Sequence, residues 1–163
     1  MSRIAMARRK LLLTITASGT ARSHVPMLQS HLRRAHALCR SKLMELSVVL
    51  AGDNLMSDLH KQFMNIEGPT DVLTFPLDAD SKGRPISGEV FVCVPEARRQ
   101  SRRLGTNVND EVLLYALHGL LHLSGWDDRT AAQYRRMHRK EDTILKQLGI
   151  GPVFSIVSRK GKR

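Results

Sequence analysis

The chain has 163 residues, enough to bury one hydrophobic core and too few for two domains of ordinary size. Its 42% hydrophobic content is that of a globular protein, and no apolar run approaches the length of a membrane span, so a helical membrane protein is excluded. The net charge of +11 favours a polyanionic partner, and the two cysteines, Cys39 and Cys93, lack any Cys-x-x-Cys spacing and read as buried free thiols of a reducing, cytoplasmic compartment.

Residues 10–17 alternate Leu11, Leu13 and Ile15 with Leu12, Thr14 and Thr16, which predicts a first strand. Leu28, Leu32, Ala35 and Cys39 recur at helical spacing within 26–40. The apolar run 46–50 reads as a second strand, closed by Ala51-Gly52-Asp53. Residues 54–65 predict a helix with Leu55, Leu59 and Phe63 along one side. A strand is expected at 71–75, then a polar loop or hairpin connection over 77–87 with Gly83 and Pro85, then a buried strand at 89–94. Pro95 suits the first turn of a short helix. Residues 108–123 predict a long apolar helix, with Asp110 and Glu111 placed for its N-terminal dipole. The last helix spans 130–148, with Tyr134, Met137, Glu141, Ile144, Leu145 and Leu148 on its inner side and Gly149 as its stop. About four strands mixed with about five helices predict a single compact α/β (α+β) domain with a mixed sheet over 10–150, flanked by basic tails at 1–9 and 151–163.

Charge is polarised along the chain. No Asp or Glu precedes Glu45, whereas residues 1–44 hold nine Lys and Arg and the last five residues hold four more. The stretch between them carries thirteen basic and fifteen acidic residues, so the cationic excess sits at the two ends. RNA is the polyanion that suits this asymmetry best. An acid-free N-terminus also resembles a transit peptide, but 10–44 already read as strand and helix, and 1–9 are too short for a presequence. Two further clusters, Arg98/Arg102 with Arg99/Arg103 and Arg135/Arg139 with Arg136/Lys140, stand at i,i+4 spacing and can track phosphates or simply solvate a helix face. Aromatic residues make up 4%, so base stacking does not dominate recognition, and Trp126 reads as packing.

The chemistry gathers in His118-Gly119-Leu120-Leu121-His122-Leu123-Ser124-Gly125-Trp126-Asp127-Asp128. On a helix His118 and His122 lie one turn apart on one face and can grip one metal ion. Gly125 can end the helix and turn the chain, returning Asp128 as a third ligand. Three protein ligands with an open fourth position describe a catalytic zinc site rather than a closed structural one. The register H-x3-H-x5-D is that of the metzincin motif with two changes. Asp128 replaces the last His, and Gly119 stands where a metallopeptidase carries its general-base Glu.

This segment resembles the signature H-G-x-L-H-L-x-G-[YW]-D-H of the YbeY family, bacterial and organellar endoribonucleases of rRNA maturation. Gly68-Pro69-Thr70-Asp71-Val72-Leu73-Thr74-Phe75-Pro76 is similar to the family's P-T-[DN]-V-L-S-F-P block, and Gly88-Glu89-Val90-Phe91-Val92 resembles its G-D-I strand. The blocks stand in family order, and the resemblance covers roughly residues 10–150. It implies a single-strand-specific, metal-dependent endoribonuclease, with one zinc ion as the usual assignment, linked to 16S rRNA 3′-end processing and ribosome quality control. RNA and the small ribosomal subunit are the implied partners. Cobalt, nickel or iron also suit two histidines and one aspartate.

There are two departures from the family pattern. The family's third metal-binding His falls on Asp128; Asp127 matches a non-ligand Asp and is the alternative ligand. The family often carries an Arg five residues before the Pro-Thr pair, and Met64 at that position cannot hold a phosphate. The resemblance leaves the general base unassigned, with Asp127 and His60 as candidates, and gives no organic cofactor and no oligomeric state. Two rival readings remain: a non-catalytic, metal-containing ribosome- or RNA-binding assembly factor, and a metallopeptidase-like hydrolase, against which Gly119 counts.

Overall fold

The computed structural model describes residues 10–151 and Val153. The expected tail at 1–9 lies outside the described residues, as does that at 151–163 apart from Gly151 and Val153. Among the described residues the order is β1 (Leu12–Thr16), a 3-10 turn (Gly19–His24), α1 (Val25–Leu38), β2 (Glu45–Ala51), α2 (Asp53–Met64), β3 (Val72–Ala79), β4 (Pro85–Cys93), α3 (Val94–Leu104), α4 (Val108–Leu123) and α5 (Ala131–Gln147). The strands form one mixed sheet in the order β1-β2-β4-β3; β1, β2 and β4 run parallel and β3 pairs antiparallel with β4. This is the single α+β domain that the sequence predicts, with four strands and five helices.

The sheet separates two apolar clusters. Val90 and Val92 of β4 contribute to the main core with α1, α4 and α5, while Leu73, Ala51 and Cys93 pack with Met56 of α2 in a smaller one. The centre of the main core is α4. From Glu111 to Leu123 every residue is buried except His118 and His122. Beyond its first turn this apolar helix is buried on nearly all sides and opens to solvent at its two histidines. Its distance from the sheet is set by glycines. A Cβ on Gly119 would stand 2.6 and 2.7 Å from the Val90 methyls and 3.0 Å from Thr74 Oγ1. A Cβ on Gly88 would stand 2.5 Å from Leu123 Cδ1. The glycine that follows His118 is therefore a close-packing requirement, since no larger side chain fits between α4 and β4.

Two local readings differ, the extent of β3 and the inner face of α2, and of the loop or hairpin expected over 77–87 the structure has the hairpin. Residues 77–87 continue both strands into a hairpin, whose turn is tied by Asp80 accepting from the backbone of Lys82 and Arg84. β3 is an edge strand exposed on both faces beyond Phe75, so it lacks the alternation that marks a strand in sequence. On α2 the buried residues are Met56 and His60, while Leu55 and Phe63 are exposed and Phe63 packs over the Phe75 ring at 4.9 Å. His60 turns inward because its Nδ1–H reaches the Gly68 carbonyl, 2.9 Å away.

Candidate metal centre

The helix that carries the histidines starts at Asn107, whose side chain accepts from Asn109 N–H. It ends in a Schellman turn. Trp126 N–H bonds to the Leu121 carbonyl and Gly125 N–H to the His122 carbonyl, with Gly125 at φ +97°. That left-handed residue reverses the chain and brings Asp128 back over the exposed side of α4. His118, His122 and Asp128 form a group that could hold a metal ion, their ligand atoms all lying within 4.8 Å of one another.

The distances fit a metal closely. The two Nε2 atoms are 3.0 Å apart, and Asp128 Oδ2 is 3.4 Å from His118 Nε2 and 3.5 Å from His122 Nε2. A tetrahedral ion about 2.0–2.1 Å from each ligand holds them roughly 3.3 Å apart. The far ring nitrogens settle which tautomer is present. His118 Nδ1 stands 2.6 Å from Glu141 Oε1, and His122 Nδ1 is 3.1 Å from the Trp126 carbonyl oxygen. Both oxygens only accept, so each Nδ1 carries the hydrogen and each Nε2 presents a lone pair. Two lone pairs and a carboxylate oxygen converge on one point, a concentration of negative potential that a cation relieves. The metal's identity is left open by this geometry, since several divalent transition ions accept such a set.

Glu141 is the functional residue that sequence reasoning placed but did not interpret. It is fully buried on α5, and its second oxygen accepts from His138 Nδ1 at 2.6 Å. Burial favours its neutral form, yet hydrogen bonds from His118 and His138 hold its pKa below the ordinary glutamate value. The same contact acts on His118: burial opposes its charge, but Glu141, helped by Asp128 and Asp71, raises its pKa overall. A carboxylate behind a metal-ligating imidazole fixes the ring and increases its basicity. The signal was available, because an acid within the apolar stripe Met137-Glu141-Ile144-Leu145 requires a buried partner.

The remaining candidates are placed elsewhere. The Asp127 carboxylate accepts from Arg129 and from the backbone N–H of Asp128, and the Arg129 hydrogen bond lowers its pKa. His60 is buried under α2 and is not among the residues lining the cleft beside the site. Met64, at the exposed end of α2, does not line it either. Trp126 packs half-buried against the main core, with Lys140 Nζ 5.8 Å from its ring centroid. The cleft has a volume of about 630 Å³ and runs from His118 and Asp128 past Tyr134 and His138 to Glu111, Tyr115 and Asp71. Glu111, at the far end, is buried and accepts from Thr106 Oγ1 at 3.0 Å; burial raises its pKa.

Comparison with known proteins places this geometry in context. A family model described as endoribonuclease YbeY matches residues 16–149. The endoribonuclease YbeY of Thermobifida fusca is 41% identical over 110 residues, covering 63% of this chain and 71% of that protein. That of Saccharopolyspora erythraea is 40% identical over 114 residues, 64% of this chain and 62% of that protein. That of Corynebacterium kroppenstedtii is 33% identical over 111 residues, 62% of this chain and 55% of that protein. The chain thus spans little more than half to about 71% of the length of these relatives. The solution structure of TM1509 from Thermotoga maritima is similar in fold, with a TM-score of 0.56 and 23% identity over 84% of this chain and 91% of that one.

Proposed function

Because the chain belongs to the YbeY endoribonuclease family, we propose that it is a single-strand-specific, zinc-dependent endoribonuclease acting in 16S rRNA 3′-end maturation and ribosome quality control. On this reading the small ribosomal subunit is its partner and the cytoplasm its compartment; separately, no described helix is long and apolar enough to cross a membrane. The observation that carries the reading is the triangle of His118, His122 and Asp128, with edges of 3.0, 3.4 and 3.5 Å at the head of a cleft. A divalent ion bound there supplies Lewis acidity towards a phosphoryl oxygen and makes water more acidic. Glu141 and the Trp126 carbonyl hold the two imidazoles by their Nδ1–H groups and keep Nε2 aimed at the ion. Asp128 adds one negative charge to the ligand set, which acidifies water less than a third histidine would. Gly119 supplies no carboxylate at the chain position after His118, where a metallopeptidase carries its general base, and has no space for one, which disfavours peptide hydrolysis.

The test is bound metal and cleavage of an rRNA fragment with paired and unpaired segments, alongside a casein substrate, for the protein and for His118→Ala, His122→Ala and Asp128→Ala. We expect cuts in unpaired RNA only, and at least a hundredfold loss of metal and cleavage in the histidine variants. RNA cleavage indifferent to both histidine changes sinks the metal-nuclease reading, and metal retention without any cleavage marks a binding factor.

A further inference from the structure

The cleft runs on beyond the histidines further than a metal ion and its water require. One face of α4 forms its floor, where Glu111, Leu114, Tyr115 and His118 stand at i, i+3, i+4 and i+7. Glu111 therefore lies about 10 Å along the helix axis from His118. The segment that leads into β3 lines the cleft beside this face, with Pro69 and Val72 apolar and Asp71 between them in the chain.

Three kinds of group could fill the far end. The first is a phosphate. Asp71, Glu96 and Glu111 line the cleft there and, among the described residues, no lysine or arginine does, so a phosphate would meet negative charge and no counter-charge. The second is a further cation. Among the described residues the one group of three side chains that converges closely enough for a metal ion is His118, His122 and Asp128, and Glu96 is taken up by Arg99 and Gln100 at 2.8 Å each. The third is a nucleobase, which is neutral, has apolar faces and carries its hydrogen-bonding groups on its edge. Apolar sides with a few placed polar groups describe a pocket that reads such an edge.

Asp71 is the group placed to read it. Its Oδ1 accepts from the Val72 N–H at 2.8 Å and from the Thr70 hydroxyl at 3.2 Å, and these two bonds fix the carboxylate on an exposed part of the lining. Glu111, buried in the floor, accepts from Thr106 Oγ1 at 3.0 Å. Burial chiefly, and the Asp71 charge in addition, raises the pKa of Glu111 and of Tyr115, so these three groups share the far end. A carboxylate only accepts hydrogen bonds, and in base recognition it pairs with an exocyclic amino group such as N4 of cytosine. The corresponding atom of uracil is a carbonyl oxygen, which a carboxylate repels.

We infer that the far end of the cleft is a pocket for one nucleobase of the RNA, next to the phosphate that is cut, and that Asp71 selects a base with an exocyclic amino group over uracil. The inference rests on RNA being the substrate. It separates the residue that chooses the strand position, on the approach to β3, from the residues that bind the metal, on α4 and its turn.

The experiment compares an oligouridine strand with the same strand carrying one cytosine, moved through each position in turn. Cytosine and uracil share their shape and differ at the atom that Asp71 reads. We expect cleavage at a fixed register from the cytosine, with kcat/KM roughly tenfold above that of the uridine strand. Pyrimidin-2-one, which lacks the amino group, should lose this advantage when it replaces the cytosine. Asp71→Asn, whose amide both donates and accepts, should bring the two strands within about twofold of each other, with thermal stability and bound metal as in the unsubstituted protein. Fluorescence anisotropy of the labelled strands on the metal-free protein should show the same order of affinity, again levelled by Asp71→Asn. Equal cleavage and binding of the two strands, or a cytosine preference that survives Asp71→Asn, overturns the pocket. A second equivalent of bound metal that disappears in Asp71→Asn overturns it too, and marks a cation site instead. Failure of the unsubstituted protein to bind or cut any RNA overturns the functional reading itself, a result distinct from cutting without preference.

Discussion

Two buried glutamates stand at opposite ends of one cleft, and they titrate in opposite directions. Glu111 on α4 and Glu141 on α5 are 2% and 0% exposed, so burial pushes both towards the neutral acid. Glu111 is met by the Thr106 and Tyr115 hydroxyls, and its pKa rises. Glu141 is met by the His118 and His138 imidazoles, and its pKa falls. Burial alone therefore does not identify a working acid in this fold. The donors that face it do, and among the described residues the two imidazole donors to one buried carboxylate occur at the end where His118, His122 and Asp128 converge.

The strongest way to break that contrast is Glu141→Ala. It strips the acceptor from two imidazole N–H groups and leaves a polar cavity in the core. Loss of one partner of a buried pair costs about 3–5 kcal/mol, and loss of an outer-shell carboxylate costs roughly 10–100-fold in metal affinity. Thermal unfolding of the metal-free protein and chelator competition measure the two effects separately. If affinity stays within twofold, Glu141 is as passive as Glu111 and the contrast collapses. Glu141→Gln sharpens it with a smaller effect. The amide keeps the volume and one acceptor oxygen but turns a donor towards the other imidazole. Metal affinity is expected to fall about tenfold with most of the stability retained. A cobalt-substituted protein whose absorption spectrum is identical in Glu141→Gln and the unsubstituted chain would argue against control of the ligand field by this carboxylate.

How far these roles are legible in sequence depends on whether they are local. The bounds of α4 at Val108 and Leu123 follow from its apolar content, its capping Asn107 and the turn at Gly125, all within one window. The approach of Asp128 follows from the same turn. The hairpin continuation of β3 does not, because an edge strand exposed on both faces leaves no alternation. Glu111 read as a dipole charge because its burial is made by other elements. The basic clusters on α3 and α5 look equivalent by spacing; only folding brings Asp53, 46 residues away, onto Arg99. Gly119 reads in sequence as a missing base, whereas its packing against Val90 shows that the backbone there excludes any side chain.

Glu111→Gln is the smallest expected effect and the most specific test of the cleft's other end. In the folded chain burial raises the pKa of Glu111 above its ordinary value of 4.5. An acid raised on folding contributes its full stability below the unfolded value, where it is neutral in both states. That contribution is lost as pH rises through the raised folded value, because only the unfolded chain ionises freely across the interval. Glutamine stays neutral throughout and keeps an acceptor oxygen for Thr106. The variant should therefore match the unsubstituted protein near pH 4 and become the more stable of the two by pH 8, by on the order of 1 kcal/mol. Thermal unfolding of the metal-free protein across that range measures the difference. A variant that loses stability at high pH instead would mean that Glu111 is held as a carboxylate like Glu141, and that the far end of the cleft is charged in the same way as the metal end.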